Sequence, residues 1–222
     1  MTDVNYELYD AGVLDQFQLL GKIYKSVTPI ECLEAYVQHI REDRGNFLDM
    51  KQHLAGVANS QLSLYDNQLN RSELSTPAAL VEMFRDAIDP HLIQFVGERP
   101  WVLESMWVNI MGPGDFQPVH MHTGDLSFVW YLDVPQVIYE KNEQYSRPNE
   151  PDGGSSPYGE IHFLTPDQHC PFGITRETFR PETGDLLIFD ARYRHTVYPY
   201  TANVERVSIS GNINFVPHAN DF

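Results

Sequence analysis

The feature that most constrains the fold of this chain is a change in the spacing of its apolar residues near residue 100. Before that point they recur at intervals of three and four, as in Leu33, Tyr36, Val37 and Ile40, which is helical spacing. After it, short runs rich in β-branched and aromatic residues alternate with turns rich in proline and glycine. This change predicts a mainly β domain preceded by helices.

The second half of the chain predicts a barrel of short strands. A series of seven or so short strands suits a double-stranded β-helix, that is, a jelly-roll or cupin-like core, here flanked by α-helices. We therefore divide the chain into an N-terminal helical region, 1–100, that packs on the barrel and a core, 101–222. A polar insert at 140–158 is typical of a disordered loop or a functional lid. The candidate strands are Ser105–Met111, Val119–His122, Leu126–Val134, Glu160–Leu164, Asp185–Phe189, Thr196–Val197 and Arg206–Phe215.

Two start signals predict helices in the first hundred residues. Thr28-Pro29-Ile30-Glu31 has the form of a capping box with proline at the first helical position. Thr76-Pro77 precedes a second helical pattern, which Pro90 is expected to kink or end. The stretch Phe47–Tyr65 between them has mixed periodicity and receives no assignment.

The charge balance and the cysteines limit the classes of function. Fifteen basic residues against 31 acidic ones give a net charge of −16, which disfavours nucleic-acid and anionic-membrane partners. Cys32 and Cys170 are too few for a disulfide framework or a thiolate zinc cluster. The acidic N-terminus lacks the features of a signal peptide, and no apolar run reaches the roughly 18 residues of a membrane span. We expect a cytoplasmic protein.

The strongest local motif is His120-Met121-His122, followed by Thr123-Gly124-Asp125. Residues i and i+2 of a strand point to the same face, with Cα atoms roughly 6.5–7 Å apart. Two imidazoles at this spacing can converge on one metal ion, although such a pair is often just polar surface. Asp125 follows a turn and could direct its carboxylate to the same point.

A third histidine and an arginine follow in a second run of strands. His195 comes after a turn, the apolar strand Asp185–Phe189 and a further short turn. Eleven residues later Arg206-Val207-Ser208 opens a strand with Arg206 and Ser208 on one face. An arginine on an inward face is costly unless an anion meets it. The alternative is that Arg206 lies on the surface of an edge strand.

The order of these motifs resembles the 2-oxoglutarate/Fe(II)-dependent oxygenases, and more narrowly a group of small oxygenases common in phage and marine bacterial genomes. The resemblance spans about residues 101–216. Gly124-Asp125-Leu126-Ser127-Phe128 departs from the small-residue turn that is usual in that group. The matching stretches are Trp107-Val108-Asn109, His120-Met121-His122, Leu126 to Leu132, Gly184 to Phe189, His195, and Arg206 to Asn212.

The resemblance implies an Fe(II) site with 2-oxoglutarate and O₂ as co-substrates. Oxidative decarboxylation to succinate and CO₂ would be coupled to C–H oxidation, giving a hydroxylase of a protein side chain or a small metabolite. His120 matches the first metal ligand and His195 the distal one. Arg206 matches the clamp for the distal carboxylate of 2-oxoglutarate. Ser208, Tyr131 and Asn109 are further candidates for co-substrate binding.

The third metal ligand is an open question at the sequence level. The family's usual spacing is His-x-Asp or His-x-Glu, and the corresponding position here is His122. Strand alternation favours His122, whereas the preference of Fe(II) oxygenases for two histidines and one carboxylate favours Asp125. We predict the set His120, His122 and His195, with Asp125 as the alternative to His122.

Two other functions also fit the pattern. A cupin-type metal-dependent dioxygenase or isomerase without 2-oxoglutarate would use three histidines but assigns no anion to Arg206. A non-catalytic jelly-roll module, for example a phage structural or carbohydrate-binding protein, would place His120 and His122 on the surface. The primary substrate has no readable motif.

Overall fold

The computed structural model describes residues 7–10, 22–27, 34–50, 56–58, 60–66, 78–140, 157–166 and 174–216. The helices are α1 (Glu34–Asp43), α2 (Ala78–Val96) and α3 (Val137–Glu140), and Arg44–Asn46 form a single 3₁₀ turn. The strands are β1 (Glu7–Asp10), β2 (Lys22–Val27), β3 (Leu48–Asp49), β4 (Ser60–Asp66), β5 (Trp101–Met111), β6 (Gln117–His120), β7 (Leu126–Asp133), β8 (Ile161–Pro166), β9 (Ile174–Phe179), β10 (Asp185–Asp190), β11 (His195–Val197) and β12 (Arg206–Phe215).

The strands form two antiparallel sheets that face each other. The large sheet has the order β1-β2-β10-β7-β12-β5-β4-β3, and the small sheet has the order β6-β11-β8-β9. Apolar residues of both sheets share one core cluster, including Val129 and Phe189 of the large sheet and Phe163 of the small one. This is the expected double-stranded β-helix, in which strands that are distant in sequence become neighbours.

Side-chain alternation gives the large sheet two different faces, because successive residues of a strand point to opposite sides. On β12, Val207 and Ile209 are fully buried in a core that also contains Phe84 and Ile88 of α2. The intervening residues of β12 point toward the small sheet. The helices therefore cover one face of the large sheet, and the other face is available to build a cavity.

The first hundred residues contain strands as well as helices, so the expectation of a helical region is incomplete. Strand β2 pairs with β10, and β4 pairs with β5, which extends the large sheet on both sides. The stretch that received no assignment from its sequence contains β3 and most of β4. Its mixed periodicity has a physical reason in β4, whose residues alternate between the core under the helices and the opposite face of the sheet.

The helices agree with the expected apolar spacing, with one correction. Both predicted start signals, Thr28–Glu31 and Thr76-Pro77, lie outside the described residues. Pro90 does not end α2, which continues to Val96. Phe84, Ile88 and Leu92 form a continuous buried stripe, whereas Pro90 is exposed. Burial of that stripe therefore outweighs the hydrogen bond that a proline removes from a helix.

The predicted strands of the core all have counterparts, with ends shifted by a few residues. Strand β9 was not expected, because Thr175-Arg176-Glu177-Thr178 is polar; it lies at the edge of the small sheet, where polar residues are tolerated. Most of the insert, 141–156, and both cysteines lie outside the described residues. None of the helices in the described part of the chain has the length and apolar character of a membrane span.

Gly211 lies where β12 packs closely against its neighbouring strands. A Cβ atom at this position would meet Phe128 Cε1 at 2.6 Å and the Ser105 carbonyl oxygen at 2.7 Å. We expect Gly211→Ala to lower the free energy of unfolding by about 1–3 kcal/mol, as other overpacked cores do. Gly45→Ala is the control, since a Cβ there meets nothing within 4 Å. Equal urea midpoints for the two variants would contradict this packing.

Candidate metal centre and anion pocket

Three histidines meet where the small sheet faces the large one. His195 of β11 lies directly opposite His120 in the antiparallel pairing with β6. The ring centroids are 4.3 Å apart for His120 and His195, 5.0 Å for His120 and His122, and 5.1 Å for His122 and His195. One ligand nitrogen from each ring lies within 4.8 Å of the others. The three side chains can therefore face one common ion.

Backbone carbonyl groups determine which nitrogen of two rings is available. His120 Nδ1 lies 2.7 Å from the Pro118 carbonyl oxygen, and His195 Nδ1 lies 2.9 Å from the Tyr193 carbonyl oxygen. A carbonyl oxygen only accepts, so each Nδ1 must donate and carry the proton. The lone pair of each ring is then on Nε2, which is the arrangement that a metal ligand requires.

Burial keeps the cluster uncharged. It lowers the pKa of His195 to about 3, with further lowering by the charges that His120 and His122 would carry. It also lowers the pKa of His122 to about 4, with His120 adding to the shift. The pKa of His120 is lowered by burial as well, although its bond to Pro118 acts in the other direction. At neutral pH all three rings are neutral, the form in which imidazole binds metals.

Asp125 is not part of the cluster. Its Oδ2 accepts a hydrogen bond of 2.7 Å from the backbone N–H of Phe215. The turn that carries it is held by Asp125 N–H donating to the Ile213 carbonyl and by Ala191 N–H donating to the Asp125 carbonyl. Gly124 in this turn has φ +94, a backbone conformation that L side chains rarely adopt. The turn thus directs the carboxylate to β12, and the third position in the cluster belongs to His122.

His122 is held differently from its two neighbours. Within the described part of the chain, its ring has no hydrogen-bond partner, and it packs against the indole of Trp107 at a centroid distance of 5.5 Å. Packing on a neighbouring strand, rather than a backbone carbonyl, therefore sets its orientation.

Arg206 is a buried cation without an acidic partner among the residues that the structure describes. Its side chain is 2% exposed, its Nη1 donates to the Gly159 carbonyl oxygen at 2.6 Å, and its Nη2 contacts Met111 Sδ at 3.1 Å. Its Nε has no hydrogen-bond partner in the described part of the chain. No ion pair links it to a carboxylate of the described residues. Burial of an unbalanced charge is costly, so this position favours an anion in the adjoining cavity.

Strand register places the three remaining predicted residues next to one another, two positions along β12 from Arg206. Ser208 lies opposite Tyr131 on β7 and opposite Asn109 on β5. The Arg206 guanidinium lies 5.7 Å from the Tyr131 ring centre. Burial raises the pKa of Tyr131 to about 12, with Arg206 opposing the shift, so its hydroxyl remains a hydrogen-bond donor. Asn109 accepts from Gln61 Nε2 and donates to Ser210 Oγ.

All seven predicted site residues line one cavity of about 360 Å³. Sequence reasoning missed another wall of it, which Gln61, Ser63 and Tyr65 of β4 form together with Trp107. The alternation of Gln61-Leu62-Ser63-Leu64-Tyr65 is the signal that could have found it. Leu62 and Leu64 point into the core under the helices, and the residues between them point into the cavity.

The sequence of the core matches a known protein family. Residues 105–212 match the family described as "Putative 2OG-Fe(II) oxygenase". The matched range contains the three clustered histidines and Arg206. The matched range is thus similar in sequence to the 2OG-Fe(II) oxygenases. No curated protein matches the sequence significantly.

Solved structures share the fold at low sequence identity. A Pseudomonas putida prolyl-4-hydroxylase is 16% identical, with 88% of this chain and 93% of that chain covered and a TM-score of 0.53. An oxidoreductase of the 2OG-Fe(II) oxygenase family from Burkholderia pseudomallei is 16% identical, with 86% and 84% covered and a TM-score of 0.54. The α-ketoglutarate-dependent carbocyclase SnoK of nogalamycin biosynthesis is 12% identical, with 90% and 83% covered and a TM-score of 0.56. Proteins with this fold thus include a hydroxylase and a carbocyclase, so the fold by itself does not identify the reaction.

The lowered histidine pKa values predict an acid-sensitive metal-free protein. The unfolded chain protonates these histidines below about pH 6.5, whereas the folded chain does not until pH 4 or 3. Stability present above pH 6.5 is therefore lost as the pH falls through this window, by about 1.4 kcal/mol per pH unit for each such histidine. Urea denaturation in EDTA at pH 7, 6 and 5 measures the slope. A slope unchanged in a His122→Gln/His195→Gln variant would contradict the assignment.

Proposed function

We propose that this chain is an Fe(II)- and 2-oxoglutarate-dependent oxygenase. The observation that carries the proposal is the presence, on the walls of the same cavity, of three neutral imidazoles and one buried guanidinium that has no acidic partner among the described residues. In this proposal His120, His122 and His195 hold the metal. Arg206 holds the distal carboxylate of 2-oxoglutarate, with help from Ser208, Tyr131 and Asn109.

The donor set suits a metal that must also bind other molecules. Three ligands on one side of an octahedral ion leave three positions for 2-oxoglutarate and O₂. A bound Fe(II) ion would couple the loss of CO₂ from 2-oxoglutarate to the oxidation of a C–H bond. The protein's contribution is to orient two imidazoles through the carbonyl groups of Pro118 and Tyr193.

The charges of the cavity favour a dianionic co-substrate. With three neutral histidines, a divalent ion keeps its full charge of two, whereas a carboxylate ligand would remove one unit. Arg206 adds a further positive charge, and no Asp or Glu among the described residues lines the cavity. A planar guanidinium forms two parallel hydrogen bonds with a carboxylate, and the Tyr131 and Ser208 hydroxyls can add further donors.

The other wall of the cavity supports an uncharged substrate moiety. Gln61 and Ser63 of β4, with Asn109 and Ser210 across the sheet, offer amide and hydroxyl groups, and Trp107 adds an apolar ring. A charged group entering here would have no opposite charge among the described lining residues once Arg206 is engaged. We therefore propose hydroxylation of an uncharged part of a protein side chain or of a small metabolite.

The proposed function predicts Fe(II)-dependent consumption of 2-oxoglutarate. Purified protein with Fe(II), ascorbate and O₂ should release succinate slowly even without a primary substrate, and His195→Ala should reduce release to background because it removes a metal ligand. Asp125→Asn is the control and should stay close to wild type, since its amide oxygen can still accept from Phe215. Succinate release that survives His195→Ala would overturn the proposal.

The proposed anion clamp predicts a selective loss of co-substrate affinity in Arg206→Lys. Lysine keeps the charge but cannot make the paired hydrogen bonds, so KM for 2-oxoglutarate should rise by about tenfold to a hundredfold. Mn(II) affinity, measured by calorimetry, should not change. Arg99→Lys is the matched control, because Arg99 stacks on Phe215 and does not line the cavity. Binding of iron without any binding of 2-oxoglutarate by the wild type would instead favour a cupin-type enzyme.

A further inference from the structure

Gly159 contacts the proposed anion clamp through its backbone. Its carbonyl oxygen accepts from Arg206 Nη1 at 2.6 Å, and its N–H donates to the Pro199 carbonyl oxygen at 3.1 Å. Among the described residues this carbonyl is the only oxygen that accepts from the guanidinium, whose other contact is to Met111 Sδ. A sulfur atom is a weak acceptor. The position of one carbonyl group therefore determines how the guanidinium is directed.

The position of that carbonyl depends on the absence of a side chain at residue 159. Gly159 has φ +76, and a Cβ atom there would lie 2.8 Å from Ile138 Cγ2 and 3.3 Å from Tyr139 Cε1. Both neighbours belong to α3 and are almost fully buried. The Tyr139 hydroxyl donates to the Pro181 carbonyl oxygen, which ties α3 to the loop before β10. Since α3 cannot easily withdraw, a side chain at 159 would displace the carbonyl group.

We propose that Gly159 is a positioning residue for the co-substrate clamp, which rests on the function proposed above for Arg206. Gly159 does not line the cavity and would not touch 2-oxoglutarate. It acts by holding Arg206 Nη1, which fixes the orientation of a guanidinium that lines the cavity. Close packing of α3 against Gly159 is thus part of the anion site, although α3 lies behind it.

The test is Gly159→Ala, compared with Gly97→Ala. Gly97 has φ +79 and nothing within 4 Å of an added Cβ, so its variant carries the same backbone strain without a steric contact. The probe is 2-oxoglutarate titrated calorimetrically into Mn(II)-loaded protein, with Mn(II) affinity measured separately. We expect Gly159→Ala to weaken 2-oxoglutarate binding about tenfold, the effect of losing one hydrogen bond to a charged group. Mn(II) affinity should stay unchanged, as should both affinities of Gly97→Ala.

A second variant separates positioning from a general loss of structure. Ile138→Leu removes the Cγ2 branch at nearly constant volume, so Gly159→Ala/Ile138→Leu should recover most of the 2-oxoglutarate affinity. Equal 2-oxoglutarate affinities in wild type and Gly159→Ala would overturn the inference and leave the proposed function standing. A parallel loss of 2-oxoglutarate and Mn(II) binding, or no recovery in the double variant, would also overturn it. A wild type that binds no 2-oxoglutarate would overturn the proposed function itself.

Discussion

The antiparallel pairing of β12 between β5 and β7 is the constraint on which the rest of the structure depends. One face of this strand buries Val207 and Ile209 under the helices, and the other directs Arg206 and Ser208 to the cavity. A shift of register by one residue would exchange the two faces, burying charge in the helical core. The energy that stabilises the fold therefore also specifies which side chains form the site.

Electrostatics and burial act on the two halves of the site in opposite ways. Burial lowers the pKa values of the three histidines and so keeps them neutral, the form in which their free nitrogens can bind a cation. The buried positive charge of Arg206 is instead met by the Gly159 carbonyl and two tyrosine rings. One cavity thus contains unprotonated ligands and a fixed cation, a combination that suits a metal ion together with an anion.

The core and most of the site could be predicted from the sequence because they depend on local patterns. The period-two runs after residue 100 specify strands, and the short spacing of His120 and His122 keeps them near one another, although β6 ends at His120. His195 and Arg206 became candidate site residues because of their order along the chain after that pair. The first hundred residues were less readable, since β2 and β4 are short and their partners, β10 and β5, lie far away in sequence.

What the sequence determined by itself is the alternation of each strand and hence the candidate histidines, the arginine and the jelly-roll class. Only the tertiary structure brings His122, and not Asp125, close to His120 and His195, because hydrogen bonds between Asp125 and residues of β12 direct its carboxylate away from the cluster. The contact of Gly159 with Arg206 could not be predicted from the sequence either. Such contacts join strands and turns that long-range pairing brings together, and local sequence patterns do not predict the geometry of those contacts.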